Sequence, residues 1–184
     1  MSEEKPKKKF YKRWWFWALA VLVVIIILAA NGDSTPRKVG ETGEQQKGSS
    51  QQKVFKVGDK IELGSSIVTV NKVEHSQGGQ FSKPVEGNEW INLNITIENT
   101  GSSQQYITTL GQMFVRDDEN NSYQIAVTNK ILENPSFGLD GTIIAKSKRT
   151  GWVGFEIRKA AKGLQFQYNG SMFGGGTILV DLDR

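Results

Sequence analysis

The sequence predicts an all-β fold, an antiparallel sandwich, carried behind one apolar helix and a polar connector. Three observations predict it. Residues 14–30 form an uncharged apolar run, residues 31–52 are polar apart from Val39, and from Lys53 onward short segments alternate apolar and polar side chains with a period of two. These changes set the boundaries: a basic tail over 1–13, a transmembrane helix over 14–30, a flexible linker over 31–52 and one folded domain over 53–184.

Charge locates the first element. The 184-residue chain carries a formal +4, and of its 23 Lys/Arg and 19 Asp/Glu, six and two respectively lie in residues 1–13. Beyond residue 30 the two signs balance at 17 each. The surplus therefore sits wholly beside the apolar run. Nucleic-acid affinity needs clustered cations on the folded part, so no nucleic-acid partner is expected. There are no cysteines, which excludes disulfides, thiolate metal sites and a thiol nucleophile.

The apolar run of 17 residues would span about 26 Å as a helix, at the short end of what crosses a ~30 Å hydrocarbon core. Its flanks extend the reach. Trp14, Trp15 and Trp17 suit the headgroup layer, and Lys12 and Arg13 can snorkel there, so these five are the predicted membrane-interface residues. Basic residues before the run place the N-terminus in the cytoplasm and everything after Asn31 outside. The alternative is a cleaved signal peptide, cut after Ala30, giving a secreted protein. The eight consecutive Val/Leu/Ile residues of 21–28 are long for such a core and favour an anchor. The linker has too little apolar surface to fold, and as a coil its 22 residues span roughly 25 Å.

The sandwich is argued strand by strand. In "EWINLNITIEN", Ile91, Leu93, Ile95 and Ile97 share one face, and Asn92, Asn94, Thr96 and Glu98 the other, which describes a strand with one wet side. "GWVGFEI" turns Val153, Phe155 and Ile157 inward. "LQFQY" does so with Leu164, Phe166 and Tyr168, and "TILVDL" with Ile178, Val180 and Leu182. Further strands are expected near 53–57, 60–63, 67–74, 112–116 and 122–126, separated by turn sequences such as "ENTGSS", "DDENNS" and "YNGS". "IAVTNKILENP" has room for one or two helical turns before Pro135. Eight or nine short strands predict an antiparallel sandwich, in which Trp90 and Trp152 take positions that pattern alone does not assign.

"EGNEWINLNITIENTG", followed by "MFVRDDENNSYQI", "FGLDGTIIAKSKRTGWVGFEI" and "GTILVDL", resembles the bacterial extracytoplasmic family known as domain of unknown function 4352. The resemblance covers roughly 53–182. It implies an immunoglobulin-like sandwich, similar to a secreted mycobacterial antigen, on proteins that in Gram-positive bacteria are often lipoproteins or membrane-anchored. It carries no catalytic residues. Family members usually have Gly in the hairpin where this chain has Glu119-Asn120-Asn121.

Few residues invite chemistry. His75 is the only histidine and lacks a spaced partner for acid–base work. Asp117 to Asn121 form the densest oxygen cluster, but counting from Asp117 a calcium loop would need Gly where Ser122 stands and Glu where Thr128 stands. A solvated turn fits better, and no metal or cofactor is expected. Gly78-Gly79 and Gly174-Gly175-Gly176 lack the Lys and Ser/Thr of a phosphate loop and suit turns. Lys146, Lys148 and Arg149 form a basic patch able to touch anionic lipid or wall polymer, or simply a solvated edge. The expectation is a non-enzymatic, membrane-tethered binding module of the cell envelope, with a protein or cell-wall polymer as partner. A structural or sensory ectodomain is the alternative.

Overall fold

The computed structural model describes residues 35–40, 52–80, 82–133, 138–170 and 175–182, together with Trp17, Leu19 and Val21. The chain divides into two compact units, Met1–Asp33 and Ser34–Arg184. In the first, Trp17, Leu19 and Val21 are helical and exposed. Lys12, Arg13, Trp14, Trp15 and most of the predicted transmembrane helix lie outside the described residues. Among the described residues no helix is long and apolar enough to cross a membrane.

The second unit is a β-sandwich. Its first sheet runs in the order β1 (Arg37–Lys38), β3 (Ile61–Leu63), β4 (Ser66–Ser76), β5 (Asn88–Asn99) and β10 (Lys148–Arg158). The second runs β2 (Val54–Lys56), β12 (Thr177–Asp181), β11 (Gln165–Asn169), β7 (Met113–Arg116) and β8 (Ser122–Tyr123). Neighbours are antiparallel except β2, which lies parallel to β12. A small third sheet pairs β6 (Gln105–Ile107) with β9 (Gly141–Ile143). Helix α1 (Asn129–Glu133) is the short one expected before Pro135.

Alternation places the core as anticipated. Ile91, Leu93, Ile95 and Ile97 of β5 are fully buried, as are Val153, Phe155 and Ile157 of β10. They meet Phe166, Tyr168, Ile178 and Val180 from the facing sheet, and the Phe155 and Phe166 rings stack edge-on at 6.5 Å between centroids. A one-residue slip would turn each of these sets to water, so the register is strongly specified.

Two features depart from the expectations, and a third refines one. The linker is not free throughout its predicted 31–52 span, because β1 pairs with β3 through Arg37 opposite Glu62 and Lys38 opposite Ile61. Arg37 grips Glu62 at 3.0 and 3.1 Å, Lys38 meets Asp59 at 2.6 Å, and the Val39 N–H donates to the Lys60 carbonyl. The strand expected over 122–126 stops at Tyr123, after which Ile125 makes a bridge to Phe155 in the first sheet. The basic patch does lie on a sheet edge, and more is added to it: Lys148 and Arg149 belong to β10, the outermost strand of the first sheet, where Lys148 is exposed and the Arg149 guanidinium donates to the Asp140 and Thr142 carbonyls.

Candidate binding surface

The 117–121 turn, the one place where the sequence suggests a cation, is an anion with its own donors. Asp117 is buried at the end of β7. Its carboxylate accepts from the Glu119 and Asn121 backbone N–H groups, the Asn121 amide, the Tyr123 hydroxyl at 2.8 Å and Arg158 at 3.0 Å. Burial pushes its pKa up, but hydrogen bonds from Asn121, Tyr123 and Arg158 outweigh burial and hold it well below the usual carboxylate range. Every donor here competes with a metal for the same lone pairs. Asn120 takes the left-handed conformation at φ 64°, which asparagine tolerates and which explains the glycine expected from the family resemblance.

His75 lies at the same end on β4, with Nδ1 3.5 Å from the buried Glu89 carboxylate, which also accepts from Gln77. Gly78 sits at φ 84° in the following turn, and Gly175 and Gly176 also take positive φ, as turn glycines. Among the described residues no group of three or more His, Cys, Asp or Glu is placed to hold a metal ion.

The outer face of the first sheet offers more. Asn71 sits at a β-bulge in β4 and donates to Asn94 Oδ1 and Thr96 Oγ1, both at 2.9 Å, and Thr96 meets the Thr150 hydroxyl at 2.7 Å. These bonds form a polar row across β4, β5 and β10. They use the Asn71 NH₂ and the Asn94 carbonyl, so the Asn71 carbonyl and Asn94 NH₂ remain as an acceptor and a donor for a ligand. Trp152, opposite Asn94 in register, lies beside the row with the Lys130 ammonium 4.6 Å from its ring centroid. Lys130 also pairs with Glu74 at 2.8 Å, and Lys130 followed by Lys72 keeps that carboxyl below its ordinary pKa.

A strap limits this face at one end. Residues 125–128 run beside β10, where the Ala126 N–H donates to the Gly154 carbonyl. Thr128 then crosses to donate its hydroxyl to the buried Asn92, and α1 follows, with Asn129 accepting from Ser76. Gly154 makes the crossing possible, since a Cβ there would stand 2.4 Å from Thr128 Cγ2. Trp90, unassigned by pattern, is buried and donates its indole N–H to Glu156, which also accepts from Asn88 and the Val85 N–H. The strap was not legible because its anchoring groups are polar. Its one signal was Gly154 inside an alternating strand, the mark of a close approach.

The opposite end is organised by Asn99, which is fully buried. Its amide NH₂ spreads over the carbonyls of Ser103, Ile143 and Ile144 at 2.7, 3.1 and 3.2 Å, and its Oδ1 accepts from the Gly101 N–H. Three turns meet there. Thr100 and Gln105 bond Ser65 of the β3–β4 turn, the Asn99 N–H reaches the Ser147 carbonyl, and Lys146 caps the Thr100 carbonyl.

Solved structures share this architecture. The yjhA protein of Bacillus subtilis matches with a TM-score of 0.58 and 24% identity over 71% of this chain and all of that one. An uncharacterised β-sandwich protein of Clostridium difficile 630 matches at 0.52 and 15% over 76% of this chain and all of that one. The secreted protein MPT63 of Mycobacterium tuberculosis matches at 0.51 and 14% over 71% of this chain and 98% of that one. These likenesses establish the fold. No curated protein matches the sequence. The family model for the domain of unknown function DUF4352 matches residues 55–178, and the chain belongs to that family.

Proposed function

We propose that this protein is a non-catalytic binding module of a bacterial cell envelope, tethered by residues 14–30 with the sandwich outside, and that its contact surface is the outer face of the first sheet. The observation that carries the binding reading is the row Asn71–Asn94–Thr96–Thr150 beside Trp152. A flat row of amides and hydroxyls next to an indole ring suits a hydroxyl-rich glycan strand, whose hydroxyls pair with the amides while a sugar face stacks on the ring. The envelope setting draws on the charge asymmetry about residues 14–30 and on the secreted character of the mycobacterial neighbour.

Co-sedimentation of the purified protein with insoluble cell-wall glycan tests the reading. The wild type is expected to pellet with the polymer, and Asn94→Ala and Thr150→Val, both on the wet face, to pellet less. Wild-type protein that stays in the supernatant contradicts a glycan partner, and cross-linking to an envelope protein through the same row would replace it with a protein partner. Turnover of a chromogenic ester or glycoside would overturn the non-catalytic part.

A further inference from the structure

The register of β1 fixes which end of the sandwich the N-terminal chain enters. Arg37 opposes Glu62 and Lys38 opposes Ile61 in an antiparallel pair, so Pro36 comes abreast of Leu63, at the β3–β4 turn. That turn is bonded to Thr100 and Gln105, and the segment after Asn99 is bonded in turn to Ser147 and Lys146. The chain therefore enters at the end organised by Asn99. In sequence, Arg37 stands seven residues after Ala30, a reach of at most about 25 Å of extended chain, where a free 22-residue linker would extend three times as far.

That same end carries exposed apolar side chains that no core contact explains. On the small sheet Tyr106 opposes Thr142, which puts Ile144 on its diagonal on the same face, and the two are 70% and 66% exposed. Basic residues stand at the same end: Lys146, held in the left-handed conformation at φ 57° and bonded to the Thr100 carbonyl, Lys148 opposite Glu98, and Arg149, which binds the Asp140 and Thr142 carbonyls. Exposed aromatic and aliphatic tips with lysines at the same end match the chemistry of a bilayer interface with anionic lipid.

We infer that the sandwich docks on the anionic bilayer surface through its Asn99 end, with Ile144 and Tyr106 entering the headgroup layer and Lys146 and Lys148 meeting lipid phosphates. The inference rests on the reading that residues 14–30 stay in the membrane. Docked this way, the sandwich keeps the outer face of its first sheet open to the side.

The chain has no cysteine, so single-cysteine probes are unambiguous. Full-length Ile144→Cys and Val85→Cys would each carry an environment-sensitive fluorophore and be reconstituted in phosphatidylglycerol–phosphatidylcholine vesicles. Val85 is 67% exposed beside Asn88 at the opposite end and serves as the matched control. The inference predicts a blue shift and quenching by lipid-borne quencher at position 144 and neither at 85. It also predicts loss of the shift in phosphatidylcholine alone, or when Lys146→Gln and Lys148→Gln are combined in a protein that still floats with vesicles. Flotation with an aqueous probe at 144 overturns the docking and leaves the anchor standing. Protein that does not float at all removes the anchor, and the docking falls with it.

Discussion

Asn99 and Asp117 sit at opposite ends of the sandwich, both buried, Asn99 joining three turns and Asp117 its own hairpin and Arg158, with opposite chemistry. Asn99 is a neutral donor to three carbonyls. Asp117 is an ionised acceptor for backbone N–H groups, an amide, a phenol and a guanidinium. The difference follows from what each end presents. Strands that run out in carbonyls need a donor, and a carboxamide supplies two hydrogens without burying charge. A hairpin that turns its N–H groups inward needs an acceptor, and a carboxylate with several donors is stable as an anion despite its burial. One end should then ignore pH while the other depends on it.

Exchanging the two chemistries should have the largest effect. Asn99→Asp would aim an ionised carboxylate at three carbonyls, at a cost of ~3–5 kcal/mol, a large part of a typical total of about 5–15. Unfolding in urea should show the loss near neutral pH, partly recovered in acid as the carboxyl protonates. An unchanged midpoint would mean that Asn99 does not organise its end. Ile95→Asp, midway between the ends, sets the scale for an unpaired buried charge, while Thr96→Asp, one residue on and facing water, should change stability little.

Asp117→Ala comes next. It strands two backbone N–H groups and the Asn121 amide, whereas Arg158 is half exposed and can turn to water, so a loss of about 2 kcal/mol is expected. Thermal melts of the variant should also lose part of their pH dependence. A carboxyl whose folded pKa is depressed contributes stability that is complete above its unfolded value, near 4, and drains away as pH falls through the folded value. The wild type should therefore weaken progressively below about pH 4, and Asp117→Asn should flatten that limb. Glu156, lowered by the Asn88 amide against the effect of burial and by the Val85 and Trp90 N–H groups, adds to the same limb, so some slope will remain.

Smaller effects test the edges. Arg37→Ala removes an exposed ion pair and should cost under about 1 kcal/mol globally, yet hydrogen exchange at Val39 should quicken as β1 frays. Unchanged protection would mean that the Arg37–Glu62 pair does not hold the strand. Millimolar calcium should leave the melting temperature where it is. A rise abolished by Asp117→Asn would contradict the assignment of that turn as a self-satisfied anion.

The two hubs also show what a sequence displays and what it hides. β5, β10, β11 and β12 were legible because each buries one face and water dictates the alternation. The pairing of β1, the Thr128 strap and the row through Asn71 were not, because backbone and amide hydrogen bonds hold them and leave no apolar period to read. Asn99 stood in plain sight as the last residue of an alternating strand on its inward phase, but its inward turn depends on carbonyls supplied from β9, more than forty residues away. Lys146, Lys148 and Arg149 were legible as charge alone. Register was needed to place them at the end where the chain enters.

In the proposed tether, residues 14–30 remain in the membrane with the sandwich outside. Tags at both ends of the protein, followed in intact cells exposed to external protease, test it most directly. A retained anchor gives one full-length membrane band whose C-terminal tag and sandwich are digested from outside while the N-terminal tag survives. A soluble fragment beginning near Asp33 and lacking the N-terminal tag would show cleavage after Ala30 and contradict the anchor.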